Sequence, residues 1–286
     1  MKNVQLGFKA FDAHELLCHF VAAKSGLYSK HGLQIQLIDI TFANDKDLPQ
    51  HMFQVSCGAA LSSALQGSPQ RVVFVATDRP MFWFYASPGV DGLKDLKNRK
   101  MATFPVTAPP HHLANIVLQR SGVEPTEDIT LSPGRDDAAR FGLLKTGDVD
   151  AAVISSAISP VAVENAGFKE LCFFGDAIRI PTTGLAVHAT QLKQNSGLVE
   201  TLTEILRESL ALLHGDHALL ADVLQHYFDV PADIADRTAA IFEKLFTHDG
   251  KTSSEIAQLA VDSLCKSLQI STPISWREIY DFSLAN

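Results

Sequence analysis

Several features that would classify a chain quickly are scarce or missing. Four cysteines occur in 286 residues, Cys18, Cys57, Cys172 and Cys265, far apart and without C-x-x-C or metal-ligand spacing. A disulfide scaffold and a cysteine-held metal are therefore not expected; a reduced cell interior and a disulfide-free periplasmic chain both stay open. No basic run interrupts a net charge of −8, which argues against nucleic acid as a partner. An acidic total does not exclude an anionic ligand, because the local field in a cleft outweighs the sum. No apolar run approaches the ~20 residues that cross a bilayer, so membrane insertion is not expected. The opening MKNVQLGF enters a strand directly, with no charged and then apolar leader. The expected location is the cytoplasm, or the periplasm if a leader was removed. Heptads, internal repeats and low-complexity segments are absent.

What remains is an ordinary globular balance, 46% apolar and 20% charged, with length for two domains. The organising stretch is 4–40. Residues 4–8 and 33–40 read as strands. Between them Asp12 can cap a helix, with Glu15 three positions later in capping-box spacing. Leu16, Leu17, Phe20, Val21 and Leu27 recur at helical spacing. Two strands joined by such a helix form a right-handed βαβ unit. The loop 10–14 then lies at the carboxyl end of the first strand, where open α/β sheets bind ligands.

Residues 53–55 read as a buried strand, 56–58 as a turn, 59–66 as a helix and 71–76 as a central parallel strand. The next apolar run, 82–86, follows too closely to be its parallel neighbour, because a parallel crossover needs a dozen residues or more. It is expected to leave the first sheet. Residues 101–174 then alternate strands and helices again, with Pro109 and Pro110 in a first helical turn. Runs 82–86 and 184–188 are expected to pair as the crossing strands of a hinge. Lobe one would be 1–84 with 186–286, and lobe two 85–185. From 192 the chain reads as helices with apolar stripes, among them Ile256, Leu259 and Leu264, packing as core. Ser275 to Glu278 spells a capping box.

Four segments occur in a telling order: FVAAKSGLYSKHGLQIQLI (20–38), LKDLKNRKMAT (93–103), LLKTGDVDAAVIS (143–155) and ISWREIYDFS (274–283). Together they resemble the NMT1/THI5-like solute-binding family, of the SsuA type. The resemblance covers nearly the whole chain. It implies a type II periplasmic-binding-protein fold: α/β, two lobes, each a mostly parallel sheet flanked by helices, with two crossover hinge strands. It also implies a receptor that closes on a small molecule and delivers it to an ABC permease if exported. The chain departs from the family in having no export signal and in the make-up of its HELLCHF helix. The cysteine-rich motif of the pyrimidine-precursor synthases is absent.

On that fold the ligand would meet strand and helix ends from both lobes. Lobe one would contribute Phe11, Asp12, His14, Ser56, Cys57, Gly58, Thr77, Asp78 and Arg79. Lobe two would contribute Phe104, Thr107, Ala108, His111, Arg135, Ser155 and Ser156, with Thr182 and Thr183 at the return. Helix amino ends suit carboxylate, sulfonate or phosphate, and 107–112 is the leading candidate. Each residue also has a plainer reading. Asp12 is foremost a cap, Cys57 foremost a buried small residue, Phe11 and Phe104 either a sandwich for a flat ligand or core. Arg79 and Arg135 are either anion partners or surface charges. Adjacent His111 and His112 face apart on a helix, so no metal site is expected, nor any cofactor. The expected function is binding of a small anionic or heteroaromatic metabolite. The alternative is an enzyme with Cys57 as nucleophile and His14 or His111 as base.

Overall fold

The structure is a computed structural model that describes every residue except 45–46, 107 and 285–286. Strand β1 (Lys2–Phe8) leads into α1 (Ala13–Lys24), the one-turn α2 (Leu27–Lys30) and β2 (Leu33–Asp39). β1 and β2 run parallel, from Lys2 opposite Leu33 to Phe8 opposite Asp39, so the expected βαβ unit is present. Asp12 is extended and its carboxylate accepts the Glu15 amide at 3.0 Å, the geometry of a helix cap. Then come β3 (Phe53–Ser56), α3 (Cys57–Leu65) and β4 (Gln70–Thr77).

The chain next builds a second unit, 79–179. It contains β5 (Phe82–Ala86), β6 (Arg99–Thr103), α4 (Pro109–Arg120), α5 (Pro125–Asp128), β7 (Ile129–Pro133), α6 (Asp137–Thr146), β8 (Ala151–Ser155), α7 (Pro160–Asn165), β9 (Lys169–Phe173) and α8 (Phe174–Ala177). Its sheet runs β7-β6-β8-β5-β9. The chain then returns to the first unit, 1–78 with 180–286, through β10 (Thr183–His188). The remaining helices are α9 (Ala189–Gln194), α10 (Ser196–Gly215), α11 (His217–Phe228), α12 (Ala232–Phe242) and α13 (Ser254–Ser267). The first sheet runs β2-β1-β3-β10-β4.

The crossing strands do not pair as expected. β5 lies antiparallel between β8 and β9, and β10 lies antiparallel between β3 and β4. Each enters its own sheet as the antiparallel member, and the short link 78–81 joins β4 to a strand of the other sheet rather than to a parallel neighbour. The side-by-side crossing occurs earlier. The Ile180 amide bonds the Asp78 carbonyl at 2.8 Å and the Thr182 amide bonds the Thr77 carbonyl at 3.1 Å. The exchange therefore falls at 78–79 and 179–180 rather than at 84–85 and 185–186. Gly184 makes the tight packing of β10 possible: a Cβ there would lie 2.0 Å from the Phe74 carbonyl oxygen.

Apolar faces close the first unit. Val199, Leu202, Ile205, Leu206 and Leu210 of α10 are buried, and the Ser209 hydroxyl bonds the Cys18 carbonyl of α1 at 2.5 Å. On α13 the stripe differs from expectation. Ala257, Ala260 and Val261 are buried against α3, whereas Leu259 is 62% exposed. Small residues win that face because they let the helix approach the Ala60 and Leu61 side chains. The Ser275–Glu278 capping box forms as spelled.

Candidate functional site

In the first unit, the ends of β3 and β4 and the first turn of α1 converge on Thr182, just before β10. Its carbonyl accepts the Cys57 amide at 2.9 Å and the Gly58 amide at 3.3 Å. Those are the first two donors of α3, and they are therefore not free for an anion. Its hydroxyl lies 2.7 Å from His14 Nε2 and donates to the Thr77 carbonyl at 3.0 Å. With the hydroxyl proton on that carbonyl, the ring proton belongs on Nε2. Burial lowers the His14 pKa to about 3, so the imidazole is neutral at pH 7. Thr183 ties the same corner by donating to the His14 carbonyl at 2.9 Å.

Cys57 is wholly buried, and its thiol donates to the Phe74 carbonyl at 3.5 Å. Burial, with the Glu15 carboxylate nearby, drives its pKa far upward. In this setting Cys57 is a protonated core thiol with a carbonyl partner, which suits the plainer reading of it as a buried small residue. Gly58 has open space where a Cβ would stand, so neither backbone strain nor a neighbouring protein atom demands a glycine there. Ser56 is buried at the end of β3. Thr77 donates to the Leu245 carbonyl and Asp78 accepts from the Thr252 hydroxyl at 2.7 Å, so both brace the strand end. Phe11, by contrast, is 55% exposed, with its ring 5.7–6.1 Å from Phe20, Phe8 and Phe228. It is a half-open ring on an aromatic base, in which Phe20 stacks on Tyr227 at 4.1 Å.

The second unit gathers a separate group. Arg79 belongs here rather than with lobe one, and its guanidinium pairs with Asp176 at 3.0 Å. His111 is buried, with Nδ1 on the Phe104 carbonyl at 3.2 Å and Nε2 on the Asn115 amide at 3.1 Å. Both ring nitrogens are therefore engaged by partners within the second unit. The start of α4 is also a poor anion site. Ala108 caps it without a side-chain hydrogen bond, and Pro109 and Pro110 carry no N–H. Its third donor, the His111 amide, goes to the Ala108 carbonyl at 3.0 Å. Thr107 lies outside the described residues. Arg135 is exposed. Ser155 binds Asp137 through its amide at 2.7 Å and its hydroxyl at 2.9 Å, and the Ser156 amide bonds the Met81 carbonyl.

Sequence reading missed Arg140 and the second role of Glu15. Arg140 is fully buried, with Nε on the Val153 carbonyl at 2.8 Å and Nη1 on the Gly134 carbonyl at 3.2 Å. Its Nη2 lies 2.7 Å from the Asp137 carboxylate, out of line for a hydrogen bond. Its guanidinium stacks 3.5 Å from the Phe104 ring centre. Nothing in the helical pattern of α6 separates this arginine from a surface one. Glu15 was visible as the third residue of a capping box, but its carboxylate reaches past the cap to the Lys9 and Ala10 amides at 2.7 and 3.2 Å.

Among the described residues no cluster of histidine, cysteine and carboxylate side chains could hold a metal ion, and no helix is long and apolar enough to cross a membrane. Two surface grooves, one along α13 and Trp276 and one near Gly67 and His188, lie away from these strand ends.

Two five-stranded mixed sheets, each flanked by helices and joined by two crossings, define the two-lobe fold of periplasmic binding proteins. The chain belongs to the NMT1/THI5-like family, whose model matches residues 15–216. No curated protein matches it. Among solved structures it is similar to the periplasmic aliphatic sulphonate binding protein SsuA from Escherichia coli, with 15% identity, 97% of each chain covered and a TM-score of 0.78. A ligand-binding component of an ABC-type import system from Staphylococcus aureus has 16% identity over 100% of this chain and 98% of that one, with a TM-score of 0.74. The desulfurization enzyme DSZB has 13% identity over 99% and 98%, with a TM-score of 0.71. The same fold therefore carries receptors and an enzyme, and the likeness alone does not choose between them.

Proposed function

We propose that this protein is a solute-binding receptor for a small, flat, uncharged aromatic molecule, captured by closure of one lobe on the other. The supporting neighbours are receptors in the main, SsuA and the S. aureus import component among them. The observation that carries the reading is the Thr182 junction. Its carbonyl occupies the amide donors of Cys57 and Gly58, and its hydroxyl engages a neutral His14. That arrangement withdraws the α3 amino end from anion binding and leaves Cys57 without an activating base. The prolines of α4 and the Arg79–Asp176 and Arg140–Asp137 pairs withdraw further anion partners. The exposed Phe11 ring, on its base of Phe8, Phe20 and Phe228, offers a face for stacking on a neutral ring. Where the chain is exported, the partner is a membrane permease; no nucleic-acid contact is part of the reading.

Native mass spectrometry of the purified chain, followed by denaturation and weighing of the released compound, tests it. A neutral aromatic metabolite at one-to-one ratio is expected. A sulfonate or carboxylate overturns the ligand class, and a covalent adduct on Cys57 overturns the receptor.

A further inference from the structure

Glu15 stands in the first turn of α1, yet its carboxylate leaves its own cap and holds the residues before it. Oε2 accepts the Lys9 amide at 2.7 Å and the Ala10 amide at 3.2 Å, and the Ser56 hydroxyl is a further donor from β3. The titratable groups facing it are Asp12, whose carboxylate accepts the Glu15 amide, and the Cys57 thiol from α3. The Lys9 ammonium bonds the Ala43 carbonyl at 3.1 Å. The residue that follows the tethered pair is Phe11, the exposed ring of the proposed ligand face.

We propose that Glu15 is the positioning residue of this turn: ionised, its carboxylate fixes residues 9–10 and the Phe11 ring beyond them, and protonated it releases them and weakens ligand binding. The inference rests on the aromatic-ligand reading above. A carboxylate accepts amide bonds about twice as strongly as a neutral oxygen, so one proton slackens both tethers at once. Burial, and then the adjacent Asp12 charge, raise the Glu15 pKa from 4.5 to about 7, which brings the exchange between the two states into the ordinary range of pH.

The test uses the full chain and the uncharged aromatic fluorophore N-phenyl-1-naphthylamine as probe, at a pH well below 7 and at one well above it. In parallel, NMR follows the Glu15 carboxyl carbon and the Lys9 and Ala10 amides without probe. The carbon and both amides are expected to titrate together. The probe should bind about fivefold more weakly on the acid side, the difference between a charged and a neutral acceptor. Glu15→Gln should bind with one affinity at both pH values. Amides that stay still while the carboxyl titrates, or a Glu15→Gln profile identical to the parent's, overturn the inference. A probe that binds at neither pH overturns the aromatic reading instead, and the amide titration still decides whether Glu15 holds the turn. Should Glu15→Gln not fold, Ser56→Ala removes only the hydroxyl donor. Its carboxyl midpoint must then rise with the amides following; an unmoved midpoint counts against the proposal.

Discussion

The guanidinium of Arg140 sits over Phe104, its central carbon 3.5 Å from the ring centre, with the Asp137 carboxylate 2.7 Å from its Nη2. This buried stack ties α6 to the end of β6 through Phe104, to the end of β7 through the Gly134 carbonyl, and to β8 through the Val153 carbonyl and the Ser155 bonds to Asp137. Removing one partner leaves a buried charge unpaired, which costs more than the pair contributes. Arg140→Ala is expected to lose about 3–5 kcal/mol in urea unfolding. Arg140→Met with Asp137→Asn, which removes both charges, should lose clearly less. Equal losses would show that the charge pairing is immaterial and only the packing counts.

Acid should destabilise the fold through two histidines, against one carboxyl. Burial lowers His14 from 6.5 to about 3 and His19 from 6.5 to about 4. The unfolded chain binds those two protons below 6.5 and the native state does not, so stability falls as the pH drops. Glu15 acts with the opposite sign. Its raised pKa lets the native state keep a proton that the unfolded chain has lost between 4.5 and about 7, and that contribution disappears as the pH rises through 7. In the window from 4.5 to 6.5 the unfolded chain gains two protons against one. The net slope from these groups is then about 1.4 kcal/mol per pH unit, with stability higher at the upper end. Urea midpoints taken across that window check it. His19→Gln should flatten the slope, and an unchanged slope would refute the assignment.

Cysteine reactivity should follow burial. Cys18, Cys57 and Cys265 are buried and Cys172 is partly open, with its pKa raised to about 11 by burial and by Glu170 and Asp176. Ellman's reagent at pH 8 should modify Cys172 first and slowly, and leave Cys57 intact until the protein unfolds. Rapid labelling of Cys57 in the native protein would restore it as a nucleophile.

Much of the architecture was legible from residues. The βαβ opening, the departure of 82–86 from the first sheet, the Asp12 cap and the Ser275 capping box are all set by local pattern, and all are present. What misled was of one kind. Strand partners for β5 and β10 depend on which sheet has room, and the buried stripe of α13 depends on what faces it. The site suffered most. Helix amino ends look like anion sites in a sequence, whereas whether a carbonyl such as that of Thr182 already occupies them depends on a residue 125 positions further along than Cys57.

Chain order and side-chain periodicity were enough to establish two α/β lobes, since helix and strand periods and the length of a link are local quantities. Which donors and charges stay available to a ligand was settled only when distant segments met. A buried polar group takes the nearest partner that folding brings to it, and no local pattern records that choice.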